Sequence, residues 1–362
     1  MSIIIFITIL AVLIFVHELG HFIVAKKFGI KVDEFAIGFP PKIWSFKRGE
    51  TTYALNAIPF GGYVKIFGEN PDEQSISGPN SNRSFVNASR WKQASVLVSG
   101  ILFNVLFAWI LLSASFMSGL TTSVNESFAS YVKDSHIIIT MSQADSPARS
   151  AGLSGGETII SLESGSKNIQ ASSVVEIQDF IKESNGEIVI NYKHGDVLKK
   201  AIVIATQGIV KDKKAIGIAM DMVGTVKLPI HKAFFEGAIL TKATVKNVAI
   251  GLYYFIFDAL KGRADFSQVT GPIGIVGLVG EAKTLGIIYL MSFAAFISIN
   301  LAVINIVPFP ALDGGRLLFV AIEAVRRKSL NPKIANFANG IGFALLIILM
   351  LAVTYKDVVK MF

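Results

Sequence analysis

The sequence predicts a polytopic α-helical membrane protein of about four transmembrane helices, with a membrane-associated β-rich loop and an inserted extracytoplasmic α+β domain. Three observations predict it. Of the 362 residues, 52% are hydrophobic and only 17% charged, and the mean hydropathy is +0.56, a balance that suits a membrane protein and not a soluble globular one. Four stretches approach the roughly 20 apolar residues a helix needs to cross a bilayer. Between the second and third lies a more polar block, 125–222, whose short apolar runs are spaced like strands.

The first span covers 2–24. It lacks a charged leading region, and no small-residue cleavage site follows it, so it is expected to be retained and not removed as a signal peptide. Lys26 and Lys27 follow it, and Arg326, Arg327 and Lys328 lie between the third and fourth spans. Short basic flanks favour the cytoplasm. The N-terminus is then expected outside, 25–93 in the cytoplasm and 119–285 outside, with spans one and three running in the same direction.

Residues 31–67 (…VDEFAIGFPPKIWSF…TTYALNAIPFGGYVKIFG) alternate and carry Pro-Pro and Gly-Gly breaks, the pattern of strands and a hairpin. The polar, turn-rich 69–90 reads as a mobile loop. The second span is 94–118, completing an N-terminal membrane half over 1–118. In 125–222, HIIIT, ETIISLE, EIVINYK and AIVIA read as strands and SSVVEIQDFIKE as a helix. Residues 231–285 form a linker in which 247–257 (NVAIGLYYFIF) is too short to span and is expected to lie at the interface as an amphipathic helix. Spans three (286–309) and four (335–355) make up a C-terminal membrane half, 286–362.

The first span contains His17-Glu18-Leu19-Gly20-His21. On a helix, residues four apart share one face about one turn apart, so both imidazoles can reach one metal ion. Glu18, offset around the helix, can reach a water on that ion. Zn²⁺ suits two His and one carboxylate with water in the fourth place, and Glu18 would then take and pass on the water's proton. An HExxH pattern alone arises by chance. Ionisable side chains at membrane depth cost about 2.5–3.5 kcal/mol each on insertion scales, so three within five positions mark a site; the alternative is polar glue between helices. The other histidines, His136, His194 and His231, lie in polar stretches and read as surface residues. The chain has no cysteine, which excludes disulfides and thiolate metal sites. The net charge of +8 comes without a basic patch interleaved with aromatics, so it reads as topology-fixing loop charge and not as nucleic-acid binding.

A third ligand is sought in INLAVINIVPFPALDGGRLLF, 299–319. Asp313 is the outstanding carboxylate there. Pro308 and Pro310 must break the helix, and irregular backbone at membrane depth is tolerated where it lines a cavity. His17 lies nine residues from Lys26, about 13 Å at the helical rise, and Asp313 thirteen residues from Arg326, so the two motifs fall at compatible depths. The alternative role for Asp313 is an N-cap on the following helix.

SPARSAGLSGGETIISLE, 146–163, resembles the PDZ signature, with a short helix closed by Gly152, a turn at Gly155-Gly156 and a buried strand. The resemblance implies a circularly permuted PDZ domain over 125–222, with a peptide groove between the strand near Ala215–Ala219 and the helix around Val174–Ile181. Such a groove works by strand addition; the alternative is a domain that only blocks access sterically.

HELGH in the first span, LDGG after a Pro-x-Pro break in the third and a PDZ segment between them resemble the site-2 protease family of zinc intramembrane metalloproteases, and within it the bacterial RseP-like regulated proteases. The hairpin sequence, SGILFNVLFA (99–108) with its Gly-x-x-x-Asn pattern, and VTGPIGIVGL (269–278) are similar to segments of that family, so the match covers nearly the whole chain. The resemblance implies Zn²⁺ held by His17, His21 and Asp313, Glu18 as general base, and Asn305 on the substrate backbone or the developing oxyanion. It implies residence in the bacterial cytoplasmic (inner) membrane, and single-pass membrane segments as substrates: anti-sigma factors already trimmed outside, or remnant signal peptides. Two departures stand out. This chain has room for one PDZ domain where larger members carry two, and Gly38-Phe39 is followed by Pro40, which has no N–H for strand pairing. Two rival readings are a non-proteolytic PDZ membrane scaffold and a proton-coupled transporter. The buried ionisable groups argue against the first, and the absence of evident internal repeats against the second.

Overall fold

The structure is a computed structural model that describes residues 1–124, 130–143, 145–195, 197–210, 213–263, 269–328 and 330–359. It divides into two compact units, one of 1–115 with 230–362 and one of 116–229.

In the first unit, α1 (Ser2–Lys27) is apolar almost to its end and stops at Lys26 and Lys27, cations that suit the negative end of the helix dipole. β1 (Val32–Arg48) and β2 (Thr51–Ile66) follow. Their register is more than a hairpin. Phe35 pairs with Val64 on one side and Tyr53 on the other, and Phe46 pairs with Tyr53 as well. The two long strands therefore bend into a small sheet of four segments, ordered 62–66, 32–37, 51–56, 42–48. Pro40 falls at an irregularity between the Phe39–Ile58 and Lys42–Asn56 pairs, where its missing N–H costs no ladder bond. The root of this sheet is buried through Val32, Phe35 and Val64, while Ile43 and Trp44 are exposed.

The segment 69–90 is not the mobile loop its composition suggests. It holds α2 (Glu73–Ser77), capped by a reciprocal Asp72–Ser75 capping box. Asn87 donates to the carbonyls of Ser75, Ile76 and Ser81, and buried Gln93 donates to those of Phe85, Val86 and Ala88. Polar side chains that bond the local backbone are why turn-rich sequence is ordered here.

α3 (Arg90–Ser118) is the second long apolar helix. In the second unit, β3 (Leu120–Ser123), β4 (Val132–Ser142), α4 (Pro147–Ser150), β5 (Thr158–Ser164), β6 (Lys167–Gln170), α5 (Val174–Glu183), β7 (Glu187–His194), β8 (Val197–Ile204), β9 (Thr206–Val210), β10 (Lys213–Ala215) and β11 (Ile218–Val226) follow. The first five residues of the 125–222 block, 125–129, lie outside the described residues. The main sheet runs β3-β11-β4-β5-β7-β8, with β6 on β5. Ile137, Ile139, Leu162, Ile188 and Ile190 from the strands meet Ile177 and Phe180 of α5 in one core; each such side chain contributes about 1.5–3 kcal/mol on burial. α4 is capped by Ser146, whose hydroxyl accepts from the Arg149 N–H, with Pro147 in its first turn. Gly152 turns the chain out of it at φ 86°, a left-handed conformation that favours glycine.

Back in the first unit, the helix read at 247–257 is the end of a much longer one, α6 (Ile230–Leu260). Leu240, Val245, Val248 and Leu252 pack on the cluster of Ala108, Leu112, Ala295, Ile299 and Val303. Its lysines broke the apolar run in sequence, yet they occupy the face away from this contact. α7 (Pro272–Leu285) precedes α8 (Ile287–Asn305), then come α9 (Asp313–Arg326) and α10 (Pro332–Val359). α1, α3, α8 and α10 are the four described helices long and apolar enough to cross a membrane. α8 ends at Asn305, before the first of the two prolines, four residues short of the expected 309.

Candidate metal centre

α1 brings His17 and His21 to one face, one turn apart. Both are buried, and their Nε2 atoms are 3.1 Å apart. The irregular segment between α8 and α9 delivers Asp313 to the same point: Asp313 Oδ2 lies 3.1 Å from His17 Nε2 and 3.3 Å from His21 Nε2. Asp313 is not the N-cap of α9. That position belongs to Leu312, without a side-chain cap bond, and the carboxylate points to the imidazoles instead.

Two further segments shape this triangle. Gly100 on α3 sits against both rings, and a Cβ there would collide with His21 Nε2 and His17 Cε1; a larger residue would displace the imidazoles. After α8, Gly314 and Gly315 press on the carbonyls of Ile306, Val307 and Phe309. Only glycine permits this fold-back, which explains the Gly-Gly after Asp313. Ala311, at φ 75°, receives support from Asn339 of α10, whose Oδ1 accepts the Ala311 N–H at 3.3 Å.

The donor set fits a zinc ion. His, His and Asp are three ligands of the kind catalytic zinc sites use, and ligands at about 2.0–2.1 Å on a tetrahedron stand about 3.3 Å from each other. The three atoms here are separated by 3.1–3.3 Å, and no other cluster of at least three such groups is found among the described residues. Asp313 Oδ2 is buried without a hydrogen-bond partner, a costly condition unless a cation is bound.

Glu18 stands beside the triangle, half-buried. Its Oε2 accepts the backbone N–H of Val64 at 2.9 Å, so the free edge of segment 62–66 faces the carboxylate. A cavity of about 260 Å³ opens here, lined by His17, Glu18, Asn104, Leu301, Asn305 and Asp313 among others. Four of the five residues singled out in the sequence therefore line one cavity, and the fifth, His21, touches two of them, His17 and Asp313. Sequence reasoning missed the roles of Val64, whose contribution is a backbone group, and of Asn104, although an amide in the middle of an apolar span was a visible signal.

Behind the site, Arg316 of α9 bonds Glu69, and Arg90 of α3 bonds Glu323 of α9 at 2.8 Å. At the far turn of the small sheet, Glu50 accepts from Arg83 at 2.6 and 2.7 Å and from Lys26 at 2.6 Å. These two cations hold the Glu50 carboxyl down at about 2.

Comparison with known proteins shows the family. Residues 5–349 match the family described as Peptidase family M50. A Clostridium acetobutylicum protein named as a zinc metalloprotease is 34% identical over 99% of this chain and 97% of its own length. A Helicobacter pylori protein named likewise is 31% identical over 97% of both chains. The regulator of sigma-W protease RasP of Bacillus subtilis is 30% identical over 100% of this chain and 99% of its own, in an alignment of 441 positions. Part of that protein therefore has no counterpart among these 362 residues. The chain belongs to peptidase family M50, the site-2 proteases, and is a zinc-dependent metalloprotease of the membrane.

Proposed function

We propose that this member of peptidase family M50 is an RseP-like, single-PDZ intramembrane endopeptidase that cuts single-pass membrane segments, of the anti-sigma factor or remnant signal peptide type. The observation that carries the reading is the triangle of His17, His21 and Asp313 with Glu18 and Asn305 on the same cavity. In this reading the first three residues hold Zn²⁺. Zinc, when bound, supplies Lewis acidity that makes water a nucleophile near neutral pH and polarises a carbonyl.

The chain's own residues do the rest. Glu18 accepts a proton from the attacking water and passes it to the leaving amine. The Val64 N–H holds the Glu18 carboxylate in place until then. Asn305, at the end of α8, offers an amide N–H to the substrate carbonyl as charge develops on it. A helical substrate hides its peptide bonds, so the segment must be extended to react. The open edge at 62–66 can hold an extended segment by backbone hydrogen bonds next to Glu18.

The second unit is read as a circularly permuted PDZ domain. In support, β4 flanks β11 over its length, while β3 covers only Val223–Val226. The stretch Ile218–Met220 lines a groove of about 350 Å³ with Gln178, Ile181 and Lys182 of α5, where a peptide could add as a strand. The basic flanks of α1 and α9 support an active site toward the cytoplasmic side of the bacterial inner membrane, with the PDZ domain on the periplasmic, extracytoplasmic side.

The test is co-expression with single-pass candidates, full-length and ectodomain-trimmed, comparing wild type with Glu18→Gln. Trimmed candidates should be cut by the wild type alone. Cutting that is unchanged by Glu18→Gln contradicts the reading.

A further inference from the structure

The two histidines are oriented from behind by different groups, a backbone carbonyl for His21 and a side-chain amide for His17. A neutral imidazole carries hydrogen on one nitrogen and a lone pair on the other. His21 Nδ1 lies 2.8 Å from the Val96 carbonyl. A carbonyl only accepts, so Nδ1 carries the hydrogen and the Nε2 lone pair faces His17 and Asp313. For His17 the same outcome needs an acceptor at Nδ1. The group there is the side-chain amide of Asn104, fully buried, with Nδ2 at 3.4 Å. Meanwhile Asn104 Oδ1 is buried with no partner.

A long contact between an amide N–H₂ and a ring nitrogen, beside an orphaned carbonyl oxygen on the same amide, has one common remedy. The two ends of an Asn amide exchange by a half-turn and are assigned from the hydrogen-bond network. Turned, Oδ1 takes the place beside His17 and can accept from His17 Nδ1–H, so the amide oxygen gains a partner. The backbone is already fixed for this: Ser298 Oγ of α8, itself fully buried, donates to the Asn104 carbonyl at 2.8 Å. Asn104 also lies one helical turn beyond Gly100, so α3 presents the glycine and the amide together to the imidazoles.

We infer that Asn104 is a positioning residue of the metal centre: its side-chain oxygen accepts the His17 Nδ1–H and so fixes the tautomer whose Nε2 lone pair faces His21 and Asp313. The inference rests on the reading of His17, His21 and Asp313 as zinc ligands. Partners of this kind behind a ligating histidine set ring orientation and ligand basicity.

Zinc affinity, measured by chelator competition on purified full-length protein that elutes as a single species in detergent, tests it. Asn104→Leu and Asn104→Ala should weaken zinc binding about 10–100-fold. Asn104→Asp, which keeps an acceptor at the same place, should stay within about threefold of wild type. A residue that merely fills the helix interface predicts the reverse order, because Leu is apolar and of similar size whereas Asp buries a charge; that order overturns the inference. Wild-type affinity in all three variants also overturns it. His17→Ala and Asp313→Ala run alongside: zinc lost in these but not in the Asn104 variants refutes the Asn104 role alone, whereas zinc kept in these refutes the ligand reading and the inference with it. A readout that needs no variant is the ¹⁵N-histidine spectrum of the zinc-loaded wild type. His17 Nδ1 should resonate as a hydrogen-bearing nitrogen, and a bare Nδ1 overturns the assignment.

Discussion

The Glu18 carboxylate of α1 accepts a hydrogen bond from the Val64 N–H of β2 at 2.9 Å. The group expected to move a proton is thus tied to the strand edge expected to hold the substrate. Such an anchored acceptor keeps its geometry without reorganising when the reaction begins.

Val64→Pro removes that N–H on an edge where proline is tolerated, and Val64→Ala, which keeps the N–H while trimming the same buried side chain, controls for lost packing. With proline, cleavage should fall at least about tenfold, as for a misplaced catalytic group, while zinc content stays near wild type. Unchanged cleavage would show that the bond is incidental.

His17→Ala and Asp313→Ala should each reduce zinc from about one ion per chain to near none, read by elemental analysis of purified protein. Gly100→Ala places a methyl group against both imidazoles. Its zinc affinity should drop about tenfold or more with helix content unchanged by circular dichroism.

The Glu69–Arg316 pair ties the segment after the sheet to α9, which begins with Asp313. Both side chains are mostly buried, so a double-mutant cycle of Glu69→Gln and Arg316→Met should give a coupling of about 1 kcal/mol in unfolding free energy. Each single variant should also lower cleavage. A coupling near zero would mean that the Glu69–Arg316 contact adds nothing to how α9 is held.

Glu50 sets a pH window. Its carboxyl is lowered from an ordinary 4.5 to about 2 by Arg83 first and Lys26 second. A depressed acid stabilises the folded state fully above its unfolded value, and that contribution fades as pH falls from about 4.5 to about 2. Hydrogen exchange of amides at 28–34 and 49–53 should accelerate, beyond the intrinsic chemical rate, across that window in wild type. In Glu50→Gln the same amides should be less protected at pH 7 and show no such step.

Much of the site was legible because its signals were local. His17 and His21 share a helix face by spacing alone, and Asp313 stood out as a carboxylate after a proline break. The folded sheet at 32–66 was legible as strands but not as four segments, because its second pairing joins Phe35 to Tyr53 across a bend that alternation does not encode. Order in 69–90 was hidden because it comes from Asp72, Asn87 and Gln93 bonding backbone carbonyls and amides. α6 was cut short in the reading because Lys232, Lys242 and Lys246 interrupt its apolar run, while the packed face through Leu240 and Val248 continues. Val64 could not be found at all, since a backbone N–H leaves no mark on residue type.

The most direct measurement is the mass of the fragments that purified enzyme releases from a single-pass peptide in proteoliposomes, with wild type and Glu18→Gln compared at equal zinc content. New termini inside the apolar segment, made by wild type and absent with Glu18→Gln, are the predicted result. Equal cleavage by Glu18→Gln, or termini confined to the peptide's water-exposed ends, would contradict an intramembrane protease built on Glu18 and the His17–His21–Asp313 triangle.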